Sequence, residues 1–85
     1  MSTKLKRIKS ILDNPKSVSF NDIKIILENF GYSGEQPSRG SSHYIFRKEG
    51  CYSITVPKKH PYVKEHYIKE IILLLELEDW YEENS

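Results

Sequence analysis

The residues best suited to chemistry surround one histidine in the middle of the chain. His43 follows the tripeptide Gly-Ser-Ser at residues 40–42, and Arg39 and Arg47 flank it. Backbone N–H groups that converge in such a turn can hold an anion. A neutral imidazole can accept the proton of a ribose 2′-hydroxyl. These residues could therefore bring a phosphate and a general base together, although a Ser-His pair at the start of a strand is also common without any catalytic role.

More basic side chains follow a second predicted strand. Lys58, Lys59 and His60 form a short basic segment bounded by prolines, which could contact phosphate. His60 can equally be an ordinary surface histidine, and it is the one candidate general acid that we can name, because histidine is a common proton donor in catalysis. His66 is expected on the exposed polar face of a helix. With no CxxC spacing and no carboxylate at ligand spacing from these histidines, we predict no metal site and no cofactor.

Aromatic residues are interleaved with the basic ones. Tyr44, Phe46 and Tyr52 could stack on bases. A chain of 85 residues has few other large side chains to fill its core. We therefore predict that at least two of the three are buried.

Charge is distributed unevenly along the chain. Residues 1–64 carry 12 Lys or Arg and 5 Asp or Glu, a net charge of +7, whereas residues 65–85 carry one Lys and 7 acidic side chains, a net charge of −6. The basic part could attract phosphate, and the acidic part could shield it, contact a basic partner or aid solubility. The longest apolar run, residues 71–75, is far too short to span a membrane, and the single cysteine cannot form an internal disulfide, so a reducing cytoplasm is the expected location.

Apolar periodicity and turn residues predict the elements that position these side chains. Helices are expected over residues 4–13, from the N-cap Ser19 to a stop at Gly31, and over residues 64–78, where Leu73 and Leu74 widen the buried stripe. Strands are expected over residues 43–47 and 51–56, joined by a turn at 48–50, while residues 33–42 form a loop or an irregular edge strand. Trp80, after the last helix, either caps the core or lies exposed. This order predicts an α+β fold, a small antiparallel sheet with helices packed on one face.

Two hairpin registers are possible, and they place His43 on opposite faces of the sheet. Pairing Lys48 with Cys51 puts His43 and Arg47 on the same face as Ile54 and Val56. Pairing Lys48 with Tyr52 instead gives Tyr44, Phe46, Ile54 and Val56 one buried face and leaves His43 and Arg47 in solvent. The second register buries fewer polar groups, so we prefer it.

Together these features resemble the HicA family, the small toxins of bacterial toxin–antitoxin pairs. The resemblance covers residues 19–77, about 60 of the 85 residues. It is carried by the order and spacing of ILENFGY at 26–32, SSHYIFR at 41–47, ITVP at 54–57, His60, Val63-Lys64 and the apolar helix at 68–75. Ser41 stands where the family has a glycine directly before Ser-His, with Gly40 one position earlier.

The resemblance implies a fold like that of double-stranded-RNA-binding domains (α-β-β-β-α) over residues 19–85, with residues 1–18 as a basic N-terminal helical extension. It also implies a metal-independent endoribonuclease, an mRNA interferase, that a HicB-like antitoxin neutralises by covering His43. His43 falls on the family's catalytic histidine. Ser42 and Arg39, with Arg47, Lys58, Lys59 and His60, would bind the RNA. DNA, which lacks the 2′-hydroxyl, would be spared, and no membrane partner is expected.

Two other interpretations remain open. A non-catalytic RNA-binding module of the same fold would use His43 only to contact phosphate, and its binding would be sensitive to salt. A protein-interaction domain would instead use the apolar helix 64–78 and the acidic C-terminal segment.

Overall fold

The computed structural model describes residues 3–35 and 43–85. In these ranges the α-helices are α1 (Thr3–Asp13), α2 (Phe20–Asn29), α3 (Glu65–Leu74) and α4 (Leu77–Asn84), with a short 3-10 helix at Pro15–Ser17. The strands are β1 (Ser33–Glu35), β2 (His43–Arg47) and β3 (Ile54–Pro57), and they form one antiparallel sheet in the order β1-β2-β3. The predicted α+β class, with a small antiparallel sheet, is confirmed.

The first two helices begin and end where local sequence signals predict. The Ser19 hydroxyl oxygen accepts a hydrogen bond of 3.1 Å from the Asp22 backbone N–H, which satisfies one of the free donors at the start of α2. After α2, Gly31 adopts φ +94°, a conformation that costs glycine little and other residues much more. The turn after Phe30 therefore sends the chain into the edge strand β1 rather than into another helical turn.

The sheet adopts the preferred hairpin register. Tyr44 is paired with Val56 and Phe46 with Ile54, and Phe46, Ile54 and Val56 are all buried. Thr55 and the two ends of β2, His43 and Arg47, are exposed on the other face. One residue of slip would have reversed these faces, so burial of the apolar set decides the register.

The second strand of the hairpin is shorter than predicted, because it begins at Ile54 rather than at Cys51. The Lys48 carbonyl accepts a 3.0 Å hydrogen bond from the Cys51 N–H, and Gly50 has φ +79°, so residues 48–51 belong to the turn. Beyond the Phe46–Ile54 pair, the next position on the core face holds Tyr52, which is 88% exposed. No pair of buried residues therefore extends the pairing of β2 with β3 toward the turn.

The prediction of a single C-terminal helix over residues 64–78 is wrong, because the structure has two helices there with a sharp turn between them. Glu76 takes left-handed angles (φ 52°, ψ 47°), and the chain continues as α4. The turn lets Leu77 reach full burial and brings the Trp80 ring to 5.9 Å from that of Phe30. Trp80 is thus half-buried and packed against the core. Leu73 and Leu74, expected in the buried stripe, are 76% and 50% exposed.

The core is one cluster to which every helix except the short 3-10 turn contributes. Its fully buried members include Ile8 from α1, Ile23 from α2, Ile68 from α3 and Leu77 from α4. The N-terminal helix therefore packs into the same core as the remainder of the chain. None of the helices formed by residues 3–35 and 43–85 has the length and apolar character needed to cross a membrane.

Candidate nucleic-acid interface

His43 lies at the first position of the central strand, β2. Its backbone is paired with that of Pro57, the last residue of β3, and its side chain is exposed. It lies on the face opposite the buried ring of Phe46, because side chains alternate along a strand. The sheet thus fixes the backbone of His43 at the strand end, and its side chain is exposed to solvent.

Arg47 shares this open face of the sheet, which we define as the exposed positions of the three strands. It lies four residues from His43, about 13 Å along an extended strand. Ile45 lies between them and is half-buried. The open face therefore presents a cation at one end of β2 and an imidazole at the other.

Glu35 also belongs to the open face, which sequence reasoning missed. The register pairs Glu35 with Ile45 and Ser33 with Arg47, so the exposed Glu35 carboxylate lies diagonally from both ends of β2. Diagonal neighbours across a sheet are within reach of long side chains. In the sequence, only the possibility that residues 33–42 include an edge strand could have placed Glu35 on this face. The open face thus carries mixed charge.

Lys58 lies apart from this face, beside the ring of Tyr44. Its ammonium is 5.8 Å from the ring centroid of Tyr44, and the ring centroids of Tyr44 and Phe20 are 4.9 Å apart. Lys59 and His60 are exposed in the segment after β3. The remaining expected site residues, Arg39 and Ser42, and the Gly40 turn lie outside the described residues.

The aromatic residues divide as predicted between core and surface. Phe46 is fully buried and Tyr44 is half-buried, so at least two of the three candidates belong to the core. Tyr52, directly after the hairpin turn, is exposed and could stack on a base. Tyr62, which the sequence did not single out, is 49% exposed in the segment after β3.

A polar contact that the sequence did not predict joins the side chains of Tyr32 and Cys51. Burial raises the pKa of Tyr32 above its ordinary value of 10.0, and the charge and hydrogen bonding of the Cys51 side chain raise it further. The ammonium of Lys48 lies 5.6 Å from the Tyr32 ring centroid. These contacts join the hairpin turn to the segment between α2 and β1.

The other candidates for chemistry are spread over the surface. His66 is exposed on α3, as expected, and its ring lies 4.1 Å from that of Tyr67. Within residues 3–35 and 43–85, no three His, Cys, Asp or Glu side chains gather as metal ligands. No family model, curated protein or solved structure matches this chain.

Proposed function

We propose that this protein is a metal-independent endoribonuclease, a toxin of the HicA kind that cleaves mRNA. The observation that carries the proposal is the exposed His43 on the open face of the sheet, with Arg47 on the same face. A general base must reach a substrate hydroxyl, and an exposed imidazole fixed at a strand end meets that requirement. The finer description of the fold, a double-stranded-RNA-binding type preceded by a helical extension, belongs to the same proposal.

In the proposed reaction His43 accepts the proton of a ribose 2′-hydroxyl. The 2′-oxygen then forms a bond to the adjacent phosphorus, and the bond from phosphorus to the 5′-oxygen breaks. The leaving 5′-oxygen takes up a proton from His60 or from water. The products are a 2′,3′-cyclic phosphate and a 5′-hydroxyl, and DNA is spared because it has no 2′-hydroxyl.

The flanking cations have distinct proposed roles. Arg47 would bind a phosphate at the far end of the open face, while Lys58 and Lys59 would bind the strand beyond β3. Ser42, Arg39 and the backbone near residue 40 would position the reacting phosphate. Such contacts dominate affinity and make it dependent on salt. We further propose that the protein acts in the cytoplasm and that a HicB-like antitoxin inhibits it by covering His43.

Cleavage of a labelled RNA by the purified protein tests the catalytic role of His43. We expect cleavage in excess EDTA, a 2′,3′-cyclic phosphate end, and a loss of at least about 100-fold in rate for His43→Ala, the contribution typical of a general base. His66→Ala is the matched control, because it removes another exposed imidazole that lies on α3 rather than on the sheet. Undiminished cleavage by His43→Ala, or a requirement for added divalent metal, would contradict the mechanism.

The alternative is an RNA-binding module without catalysis, which the same charged face favours. It predicts salt-sensitive RNA binding with no new RNA ends, and growth arrest on expression that is equal for the wild type and His43→Ala. Arrest with loss of mRNA that disappears in the variant would exclude it.

Glu35 provides an independent test of whether RNA lies on the open face. Glu35→Gln removes a negative charge between His43 and Arg47, so RNA affinity at low salt should increase about threefold, as expected for one exposed charge. Glu49→Gln, in the hairpin turn, is the matched control with the same change of net charge. An equal increase for both variants would show only a general charge effect and would place the RNA elsewhere.

A further inference from the structure

A groove runs between β3 and α3, on the side of β3 away from β2. Its volume is about 530 Å³, and it is lined by residues 53–55 and by Tyr67, Glu70, Ile71, Leu73 and Leu74 of α3. These α3 residues include the apolar positions that the sequence predicted as core. The groove meets the open face at Thr55, but neither His43 nor Arg47 lines it.

Two leucines expose apolar surface along this groove. Leu73 is 76% exposed and Leu74 is 50% exposed, whereas Ile68 and Ile71 on the same helix are buried. Adjacent exposed leucines beside an apolar groove are typical of a binding surface rather than of scattered surface residues. None of the residues that the structure describes covers these two leucines.

The backbone of β3 offers a partner hydrogen-bonding groups in addition to the apolar surface. In the sheet order β1-β2-β3, β3 is an edge strand, and its partner among the described strands is β2 alone. The other edge therefore presents N–H and C=O groups next to the groove, and an extended peptide can add to such an edge by main-chain hydrogen bonds.

The charges around the groove identify the chemistry of the partner. Glu70 lines the groove, and Glu76, Glu78 and Asp79 surround the adjoining depression beside Leu73. Lys69 also borders Leu73, but its ammonium is paired with the Glu65 carboxylate at 3.1 Å, so the surroundings of the two leucines are acidic on balance. This acidic rim disfavours RNA, which is an anion. It also disfavours a twofold β3–β3 dimer, because that arrangement would bring two copies of the same acidic rim together.

We propose that this groove binds an extended segment of another protein, with alternate apolar side chains and basic flanks. The segment adds a strand to β3, its apolar side chains cover Leu73 and Leu74, and its basic flanks meet the acidic rim. This docking surface goes beyond RNA cleavage and does not depend on it.

The test is an NMR titration of the isotope-labelled full chain with the synthetic peptide KKVTVTVKK. The valines of this peptide face one side of an extended strand, and its lysines lie at both ends. We expect shifts and amide protection confined to residues 53–57 and to the groove side of α3. The peptides EEVTVTVEE, with reversed charge, and KKVPVPVKK, with fewer backbone donors, should bind at least about tenfold more weakly.

Matched variants assign the binding to the groove. Leu73→Ser should weaken binding at least about tenfold without unfolding the chain, because its side chain is mostly exposed. Tyr62→Ser, which removes another exposed apolar side chain outside the groove, should leave binding unchanged. His43→Ala should retain peptide binding even if it abolishes RNA cleavage, so failure of one proposal is distinguishable from failure of the other.

Three results would overturn the docking proposal. The first is an absence of shifts at peptide concentrations of a few millimolar, the weak limit of specific binding. The second is equal affinity for the charge-reversed peptide. The third is a dimer in solution that Leu73→Ser dissociates, which would assign the groove to a second copy of this chain.

Discussion

Gly34→Ala should destabilise the sheet by a direct steric clash. A Cβ atom at this position would lie 2.6 Å from Cε2 of Phe46 and 3.1 Å from its Cδ2. Carbon atoms in contact prefer about 3.5–4.0 Å, so the ring or the strand must move by almost 1 Å. Phe46 is fully buried and packs 6.2 Å from the ring of Phe20, which leaves it little room to move.

The expected size of the effect follows from two opposing contributions. Overpacking a core by one methyl group costs about 1–3 kcal/mol. Replacing glycine by alanine reduces the conformational freedom of the unfolded chain and returns about 0.4–1 kcal/mol, since Gly34 does not have a positive φ. The net loss is about 1–2 kcal/mol. For a domain of this size, that corresponds to a decrease in Tm of about 5–15 °C.

Urea and thermal unfolding followed by circular dichroism measure this loss. In a Phe46→Leu background the clash is relieved, so the cost of Gly34→Ala should fall by about 1 kcal/mol in a double-mutant cycle. Gly50→Ala is the control, because it meets open space but has φ +79°, and its cost should not depend on Phe46. Wild-type stability of Gly34→Ala, or an equal cost in both backgrounds, would refute the packing argument.

Three further predictions concern the turn, the helix packing and alkaline pH. Glu76→Gly should raise the free energy of unfolding by about 1 kcal/mol, because it relieves the left-handed conformation between α3 and α4. Lys4→Ala should lower it by about 0.5–1 kcal/mol, because the ammonium lies 5.0 Å from the Trp80 ring and also contacts the ring of Phe30. Because the raised pKa of Tyr32 keeps the phenol protonated in the folded state, the wild type should lose stability as pH rises above about 10, and Tyr32→Phe should lose less.

Denaturant titrations with matched controls check these three predictions. Glu78→Gly, inside α4, should destabilise where Glu76→Gly stabilises. Lys6→Ala removes an exposed cation from the same helix as Lys4 and should have little effect. Cys51→Ser should reduce the alkaline loss by less than Tyr32→Phe, because burial is the larger cause of the shift. Equal pH dependence of the wild type and Tyr32→Phe, or equal effects within either control pair, would contradict the corresponding explanation.

Local sequence signals were sufficient for the first two α-helices and for the choice of hairpin faces. Ser19 and Gly31 mark the ends of α2 because capping and left-handed turns depend on a few neighbouring residues. The hairpin register followed from the rule that one face must bury the apolar set, which placed His43 and Arg47 in solvent. The exposure of the candidate base was therefore predictable, whereas its catalytic role remains a proposal.

Long-range packing overturned the sequence prediction for the C-terminal helix. Residues 64–78 have continuous helical periodicity, yet the chain breaks at Glu76, because only a turn there lets Leu77 and Trp80 reach the core beside Phe30. Leu73 and Leu74, which precede that turn, are exposed.

The sequence by itself determined the ends of α2, the α+β class and the buried face of the hairpin, because each depends on neighbouring residues or on simple alternation. The tertiary structure alone decided the position of Glu35 on the open face and the groove beside β3. Both features depend on contacts between segments far apart in the chain, which local periodicity does not encode.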